Sequence, residues 1–129
     1  MAANTQYMVK GGKRIVINVT GAFNTTDETD TVLVDLSTLT GPSGTAPTKV
    51  RIDEITWSVA DGFDYVLLEW DHATDSTIEY FQGRGYMDYT PYGGKNDPGS
   101  GGTGDLILTT SGGASGDSYS FLISATLKD

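Results

Sequence analysis

The sequence contains no cysteine and a single histidine, His72. The absence of cysteine excludes disulfide bonds and thiolate metal ligands, and it leaves the redox compartment unassigned. A serine–histidine–acid triad needs a base beside its nucleophile, and His72 is the one histidine available for that role. Because His72 lies in the polar run Asp71 to Ser76, we expect a solvated loop histidine and a protein that is not an enzyme.

Long apolar runs and clusters of basic residues are also missing. The longest apolar run is only a few residues, which predicts no membrane-spanning helix, and the polar start of the chain predicts no secretory signal. The net charge is −9, from 17 acidic and 8 basic residues scattered along the chain. An acidic chain without a basic stripe repels phosphate, so we expect neither nucleic acid nor a membrane as a partner. The acidic surface indicates solubility, outward display, or docking on a basic partner.

Short segments of alternating apolar and polar residues dominate the sequence. A period of two, typical of β-strands, is found near residues 13–20, 31–36, 48–59, 64–70, 77–82, 106–109 and 118–127. The pattern predicts an all-β fold: a single antiparallel β-sandwich or jelly-roll-like domain of about seven or eight strands with long glycine-rich loops, or a small barrel. We assign the domain to residues 13–129 and predict a flexible N-terminal arm over residues 1–12.

Three local features predict finer structure. The apolar alternation slips by one residue between Ile52 and Ile55, which predicts a β-bulge at Asp53 and Glu54. The pair Asp61 and Gly62 predicts a hairpin between the strands near 48–59 and 64–70. The last strand is expected to pair with residues 106–109, and residues 83–105 are expected to form a long loop.

Carboxylates raise two weaker possibilities. Glu69 and Glu79 could face each other across neighbouring strands, as the acids of a glycoside hydrolase do. Four loop aspartates could hold a hard cation, namely Asp71, Asp75, Asp97 and Asp105. With 17 acidic residues, some proximity is expected by chance, and the spacing of a calcium-binding loop is absent. We therefore predict no catalytic, cofactor-binding or metal-binding residues, and no cofactor.

Tyr86, Tyr89 and Tyr92 recur every three residues around Pro91. Such tyrosines could pin the long loop to the sandwich, anchor a protein interface, or stack on sugars. With Lys95 they form one group of interface candidates, and the N-terminal arm supplies a second group, Tyr7, Met8 and Lys10. Trp57 and Trp70 are in phase with apolar neighbours and are predicted to lie in the core.

Three segments carry a family resemblance: Lys13 to Thr20, Asp61 to Trp70, and the terminal stretch from Gly104 through Tyr119 to Lys128. In order and composition they resemble the small capsid-associated proteins of tailed bacteriophages, known as decoration or cement proteins. The resemblance implies a jelly-roll-like fold, a homotrimer, and a position on the exterior of an icosahedral head in the virion, after assembly in the host cytoplasm. It further implies that the chain clamps neighbouring subunits of the major capsid protein and has no enzymatic activity.

The residues leave other functions open. The tyrosines are also found in β-sandwich modules that bind carbohydrate or a host receptor, and the same composition suits another accessory protein of a phage head or tail. Within the capsid hypothesis, the arm at residues 1–12 is the candidate for reaching a neighbour. The loop at 83–105 is the candidate for a contact with the capsid or with another subunit.

Overall fold

The structure is a computed structural model that describes residues 3–23 and 25–129. The described residues form nine β-strands and two single-turn 3₁₀ segments, Leu36–Thr38 and Thr90–Tyr92. The strands are β1 (Asn4–Lys10), β2 (Arg14–Ala22), β3 (Thr31–Val34), β4 (Lys49–Val59), β5 (Tyr65–Trp70), β6 (Ser76–Phe81), β7 (Arg84–Asp88), β8 (Leu106–Ser111) and β9 (Ser118–Lys128).

The strands form two antiparallel sheets. The five-stranded sheet has the order β1-β2-β9-β4-β7, and the four-stranded sheet has the order β3-β8-β5-β6. From β2 onward, every connection crosses between the sheets except the one between β5 and β6. Strands β2 to β9 therefore have the arrangement of an eight-stranded jelly roll, with β1 added at an edge. The predicted all-β, antiparallel, jelly-roll-like sandwich is confirmed.

The core lies between the two sheets and follows from the alternation along each strand. Ile15 and Ile17 of β2, Ile123 of β9 and Leu68 of β5 are essentially inaccessible to solvent. Burying each such side chain contributes about 1.5–3 kcal/mol, so the two inner faces supply most of the driving force for folding. Trp70 is also buried, and its indole N–H donates a 3.0 Å hydrogen bond to the Val50 carbonyl of the opposite sheet.

Trp57, also predicted to be a core residue, is only partly buried. Its ring packs on Phe81 with 4.9 Å between the ring centroids, and its indole N–H donates to the Gln82 carbonyl. It lies across the edge strand β7 at Gly85, where an added Cβ would approach the indole to 2.3 Å. Trp57 therefore closes the side of the core beneath an edge strand.

The N-terminal segment differs from the prediction. Residues 4–10, expected to be part of a flexible arm, form the edge strand β1, which pairs with β2. Tyr7 packs against the core, but a register shift between Tyr7 and Val9 breaks the alternation. That irregularity hides the strand from a search for a period of two. Met1 and Ala2, the first two residues of the predicted arm, lie outside the described residues.

The bulge predicted in β4 is confirmed, because the register with β9 shifts between Ile52 and Glu54. Two predicted strand pairings are wrong. Residues 60–64, which contain Asp61 and Gly62, connect β4 to β5 in the opposite sheet instead of closing a hairpin. Likewise β8 pairs with β3 and β5, whereas β9 pairs with β2 and β4. A turn motif indicates that the chain reverses, but it does not indicate which sheet the next strand joins.

The predicted long loop also contains regular structure. Residues 84–88 form the edge strand β7, the 3₁₀ turn at Thr90–Tyr92 follows, and residues 93–105 return to β8. An isolated bridge between Ile52 and Lys95 holds this return segment against β4. The loop is thus fixed along the edge of the five-stranded sheet.

Candidate functional site

His72 does not lie in solvent as predicted. Its side chain is 5% exposed, and Nε2 lies 2.6 and 2.7 Å from the two carboxylate oxygens of Asp97, whose side chain is fully buried. The Gly99 N–H also donates to that carboxylate. An added Cβ at Gly99 would approach the imidazole to 2.1 Å, so the absence of a side chain there admits the ring. The residues around His72 have the composition of a hydrophilic turn, and the sequence does not show that the glycine-rich loop covers this turn.

The geometry around His72 is that of a loop anchor. Nδ1 has no hydrogen-bond partner among the described residues, so the imidazole holds no serine or threonine hydroxyl there. The Lys49 ammonium donates to the carbonyls of Asp97 and Gly99 from the other side of the loop. These contacts fasten residues 97–99 to the sandwich.

The carboxylates predicted to face each other do not do so. Glu79 is opposite Leu68, whereas Glu69 is opposite Thr77. Glu69 instead lies near Asp30 and Asp75, with one oxygen of each within 4.8 Å of the others. Partial burial and then the charges of Asp75 and Asp30 raise the pKa of Glu69.

The loop aspartates considered as cation ligands have structural roles. Asp105 accepts the Leu36 N–H at 2.8 Å, and Asp71 accepts the Thr103 hydroxyl at 3.0 Å. Asp75 accepts the backbone N–H of His72, and Asp97 holds the imidazole of the same residue. Each carboxylate therefore fixes a connection at one end of the sandwich.

The N-terminal interface candidates separate into inward and outward side chains. Tyr7 is half-buried against the core, and burial, followed by the charges of Asp35 and Asp105, raises the pKa of its hydroxyl. Met8, at the register shift, is 62% exposed. The Lys10 ammonium lies 4.9 Å from the centre of the Tyr7 ring. Met8 and Lys10 are therefore available at the surface, whereas Tyr7 anchors the strand.

The three tyrosines of the second group do not form one exposed platform. Tyr86 and Tyr92 are 57% and 81% exposed, but Tyr89 is half-buried and packs against the core. The Tyr86 hydroxyl donates a 2.7 Å hydrogen bond to Glu54, which raises the pKa of Tyr86 to about 12. The regular spacing suggested one group of three tyrosines. The chain turns at Tyr89, between β7 and the 3₁₀ turn, so the three side chains do not share one surface.

Lys95, the last interface candidate, is held by its surroundings. Its ammonium lies 5.5 Å from the centre of the Tyr89 ring and 3.5 Å from the Glu79 carboxylate, and it donates to the Ile78 carbonyl. Lys95 thus connects the return segment to β6. Of the predicted interface residues, Met8, Lys10, Tyr86 and Tyr92 are left with outward surface.

A broader surface is not apparent from the sequence. Along β2, β9 and β4, the residues that alternate with the buried ones point outward from the five-stranded sheet, and most of them are small and hydroxylated. We name this surface the hydroxyl face, defined by Val16, Asn18, Thr20, Ser120, Leu122, Ser124, Thr126, Thr56 and Ser58. Leu122 lies near its centre, opposite Asn18 on β2 and Thr56 on β4, and is 42% exposed.

The rim of the hydroxyl face carries arginine and tyrosine. Arg14 lies opposite Thr126 on one side, and its guanidinium donates to Ser124 at 3.3 Å. Tyr86 and Arg84 of β7 lie opposite Thr56 and Ser58 on the other side. Glu54 also lies at this rim, opposite Ser124, and accepts the Tyr86 hydroxyl. Arginine and tyrosine are enriched at protein–protein interfaces, and an exposed leucine between them supplies an apolar contact.

Charge is unevenly divided between the two sheets. Six of the eight basic residues lie in strands of the five-stranded sheet, namely Lys10, Arg14, Lys49, Arg51, Arg84 and Lys128. The same strands contain three acidic residues, Asp53, Glu54 and Asp88. The four-stranded sheet contains Glu69 and Glu79 and, within its described strands, no basic residue. The five-stranded sheet is therefore a basic surface on an acidic protein, although the charges look scattered in the sequence.

No helix formed by the described residues is long and apolar enough to cross a membrane. Comparisons with protein-family models, with curated proteins and with solved structures each found no match.

Proposed function

We propose that this chain is a non-enzymatic structural protein of a virion, which binds the exterior of a phage capsid as a homotrimer and stabilises it. The partner is the major capsid protein, and the site of action is the capsid exterior. The proposal follows the resemblance to decoration proteins and is supported by the jelly-roll fold. The observation that carries it is the hydroxyl face on the basic side of an acidic sandwich.

The two sheets differ in the way that a covering protein requires. A protein that covers a shell needs one face that docks and another that remains hydrated. The hydroxyl face has a single exposed large apolar side chain at its centre, Leu122, and arginines at its rim. The four-stranded sheet, with its acidic residues and no base in its described strands, is suited to face solvent. Docking through the hydroxyl face would leave the four-stranded sheet, with Glu69 and Glu79, on the side away from the shell.

Stabilisation then follows from mass action. A subunit that binds the assembled shell and not its dissociated parts lowers the free energy of the shell by RT ln(1 + [L]/Kd). Three joined copies bind with a higher effective concentration than one, so modest individual contacts suffice.

The test is cosedimentation of the purified chain with expanded heads assembled from the major capsid protein of the same genome, with unexpanded heads as the comparison. We expect binding to the expanded heads. Leu122→Asp should weaken that binding at least about tenfold, because it places a charge at the centre of a desolvated patch. Thr74→Asp, an exposed position in the loop between β5 and β6, is the matched control and should bind normally.

Two results would overturn the proposal. The chain could fail to bind expanded heads at saturating concentration, or its genome could encode no capsid protein. Equal binding by Leu122→Asp and the unmodified chain would remove the hydroxyl face from the docking surface.

A further inference from the structure

The exposed apolar side chains lie at the lateral edges of the sandwich. Among the described residues, eight large hydrophobic side chains are exposed, and six belong to the four edge strands: Met8 and Val9 in β1, Val32 in β3, Tyr80 in β6, and Tyr86 and Met87 in β7. A seventh, Tyr92, follows β7, and Leu122 alone lies in an interior strand. Edge strands usually carry charges that prevent pairing with another chain, so this distribution indicates a contact.

The four edge strands form two distinct edges. Strands β1 and β3 are the first strands of their sheets and contact each other, and we call them the first edge. Strands β6 and β7 are the last strands of their sheets and are joined by residues 82–83, and we call them the second edge. The two edges lie on opposite sides of the sandwich, so one copy presents both at once.

The charges around β1 and around β7 are complementary. The described residues up to Phe23, which contain β1 and its partner β2, carry Lys10, Lys13 and Arg14 and no acidic residue. The second edge carries Glu79 and Asp88, and Glu54 lies directly opposite Asp88 on the neighbouring strand. The basic residues at the second edge are Arg84 and Lys95, and Lys95 already forms an ion pair with Glu79. The β1 side of the first edge is therefore basic in a protein of net charge −9, whereas Asp30 and Asp35 flank β3. The second edge is mixed with an acidic excess.

We propose that the first edge of one copy docks against the second edge of the next copy. Met8, Val9 and Val32 would then cover the exposed tyrosines of β6 and β7, and the unpaired backbone groups of β1 and β7 would be brought together as in strand addition. Because the joined surfaces differ, each copy still has one edge of each kind to offer. Such head-to-tail contacts generate a closed ring when the rotation closes.

This inference deepens the proposed function by naming the surfaces that join the copies. It does not depend on the identity of the shell, because every group that it uses belongs to this chain. Tyr86 belongs to both the second edge and the rim of the hydroxyl face, so a ring would cover part of that rim. Leu122, on the interior strand β9, would stay accessible.

The test compares one variant at each edge by sedimentation equilibrium at low micromolar concentration. The unmodified chain should have a mass of about 41 kDa, three times the 13.7 kDa chain. Met8→Asp alters the first edge and Tyr80→Lys alters the second. Each should weaken self-association at least about tenfold, since each places a charge in an apolar contact.

Mixing the two variants gives the decisive result. Met8→Asp retains an intact second edge and Tyr80→Lys retains an intact first edge, so together they should form a one-to-one heterodimer that neither forms alone. Leu122→Asp is the matched control, because it changes an exposed apolar residue away from both edges and should leave the ring intact. Circular dichroism and the thermal transition establish that each variant is folded.

A monomeric unmodified chain would overturn the inference. A dimer that survives Tyr80→Lys would also overturn it, because that dimer would be a symmetric contact between two first edges. The inference would also be overturned if the two folded variants failed to associate on mixing. Capsid binding by a monomer would leave the proposed function standing while this inference fails, and a ring that ignores capsids would do the reverse.

Discussion

The His72 imidazole lies beneath the glycine-rich loop, with Nε2 2.6 Å from an oxygen of the buried Asp97 carboxylate. The sequence does not show that the two residues meet, because they are 25 positions apart and each is surrounded by turn-forming residues. Their meeting depends on Gly99 and Gly102, where a Cβ would collide with the histidine ring or backbone. A single histidine in a polar run can therefore be the centre of a buried polar contact.

Replacement of His72 tests this anchoring role. His72→Ala should lower the free energy of unfolding by about 2–4 kcal/mol, because the buried Asp97 carboxylate loses its partner and a cavity opens beside it. Urea unfolding followed by tryptophan fluorescence measures the change. Thr74→Ala, which is exposed in the same connection, should change the stability by less than about 0.5 kcal/mol. Coincident unfolding curves for His72→Ala and the unmodified chain would contradict the anchoring role.

The irregular strands β1, β4 and β7 show what single elements contribute. The bulge in β4 was predictable, since one extra residue in a long strand shifts the alternation by one position and leaves it intact on both sides. In β1 a similar interruption occurs in a short, mostly exposed strand, and too few apolar residues remain to define a period. In β7, Gly85 leaves room for the Trp57 indole, which lies over the strand. A short segment that contains glycine and has polar ends looks like a loop in the sequence, so this strand was not predicted.

Sequence patterns therefore predicted strands where one face is buried, and they missed strands whose place depends on a neighbour. The pairing of β8 and β9 was mispredicted for a related reason, since both strands have clear alternation but join different sheets. Alternation places small hydroxyls and Leu122 on the polar side of β9, but the sequence does not show that β2 and β4 lie beside it and extend the hydroxyl face. Only the fold shows that Tyr7 and Tyr89 are partly buried whereas Met8 and Tyr92 are exposed.

The bulge at Asp53 supports a further prediction. One carboxylate oxygen accepts the Arg51 guanidinium at 2.9 Å, and the other accepts the Thr126 hydroxyl at 2.7 Å. The Asp53 carbonyl accepts the Tyr89 N–H, which begins the turn after β7. Asp53→Ala should lower the free energy of unfolding by about 1–3 kcal/mol, because Arg51 and Thr126 lose their shared partner.

Thermal unfolding followed by circular dichroism is the measurement for Asp53→Ala. Asp61→Ala removes an exposed carboxylate from the connection between β4 and β5, and it should unfold within a degree or two of the unmodified chain. Equal transition temperatures for Asp53→Ala and Asp61→Ala would show that the Asp53 side chain does not stabilise the bulge.

The whole molecule combines a basic, hydroxyl-lined face, an opposite acidic face, and two apolar edges. This arrangement suits a plate that joins its copies sideways and lies with one face on a larger surface. The charge division follows from which strands form each sheet, so it is a property of the topology and not of any single segment. Contacts between copies are proposed at the edges and contacts with the shell at the face, so separate variants address the two.

Thermal disruption of expanded capsids, with and without the bound chain, is the most direct measurement of the proposed stabilising role. Scanning calorimetry should show the disruption temperature rising as the chain is added and levelling off once the sites are filled. At a free concentration of about 100 times Kd, the gain is roughly 2.7 kcal/mol for each independent site. Leu122→Asp at the same concentration should give a smaller rise. A disruption temperature that stays constant while the chain is bound would contradict the proposal that it stabilises the shell.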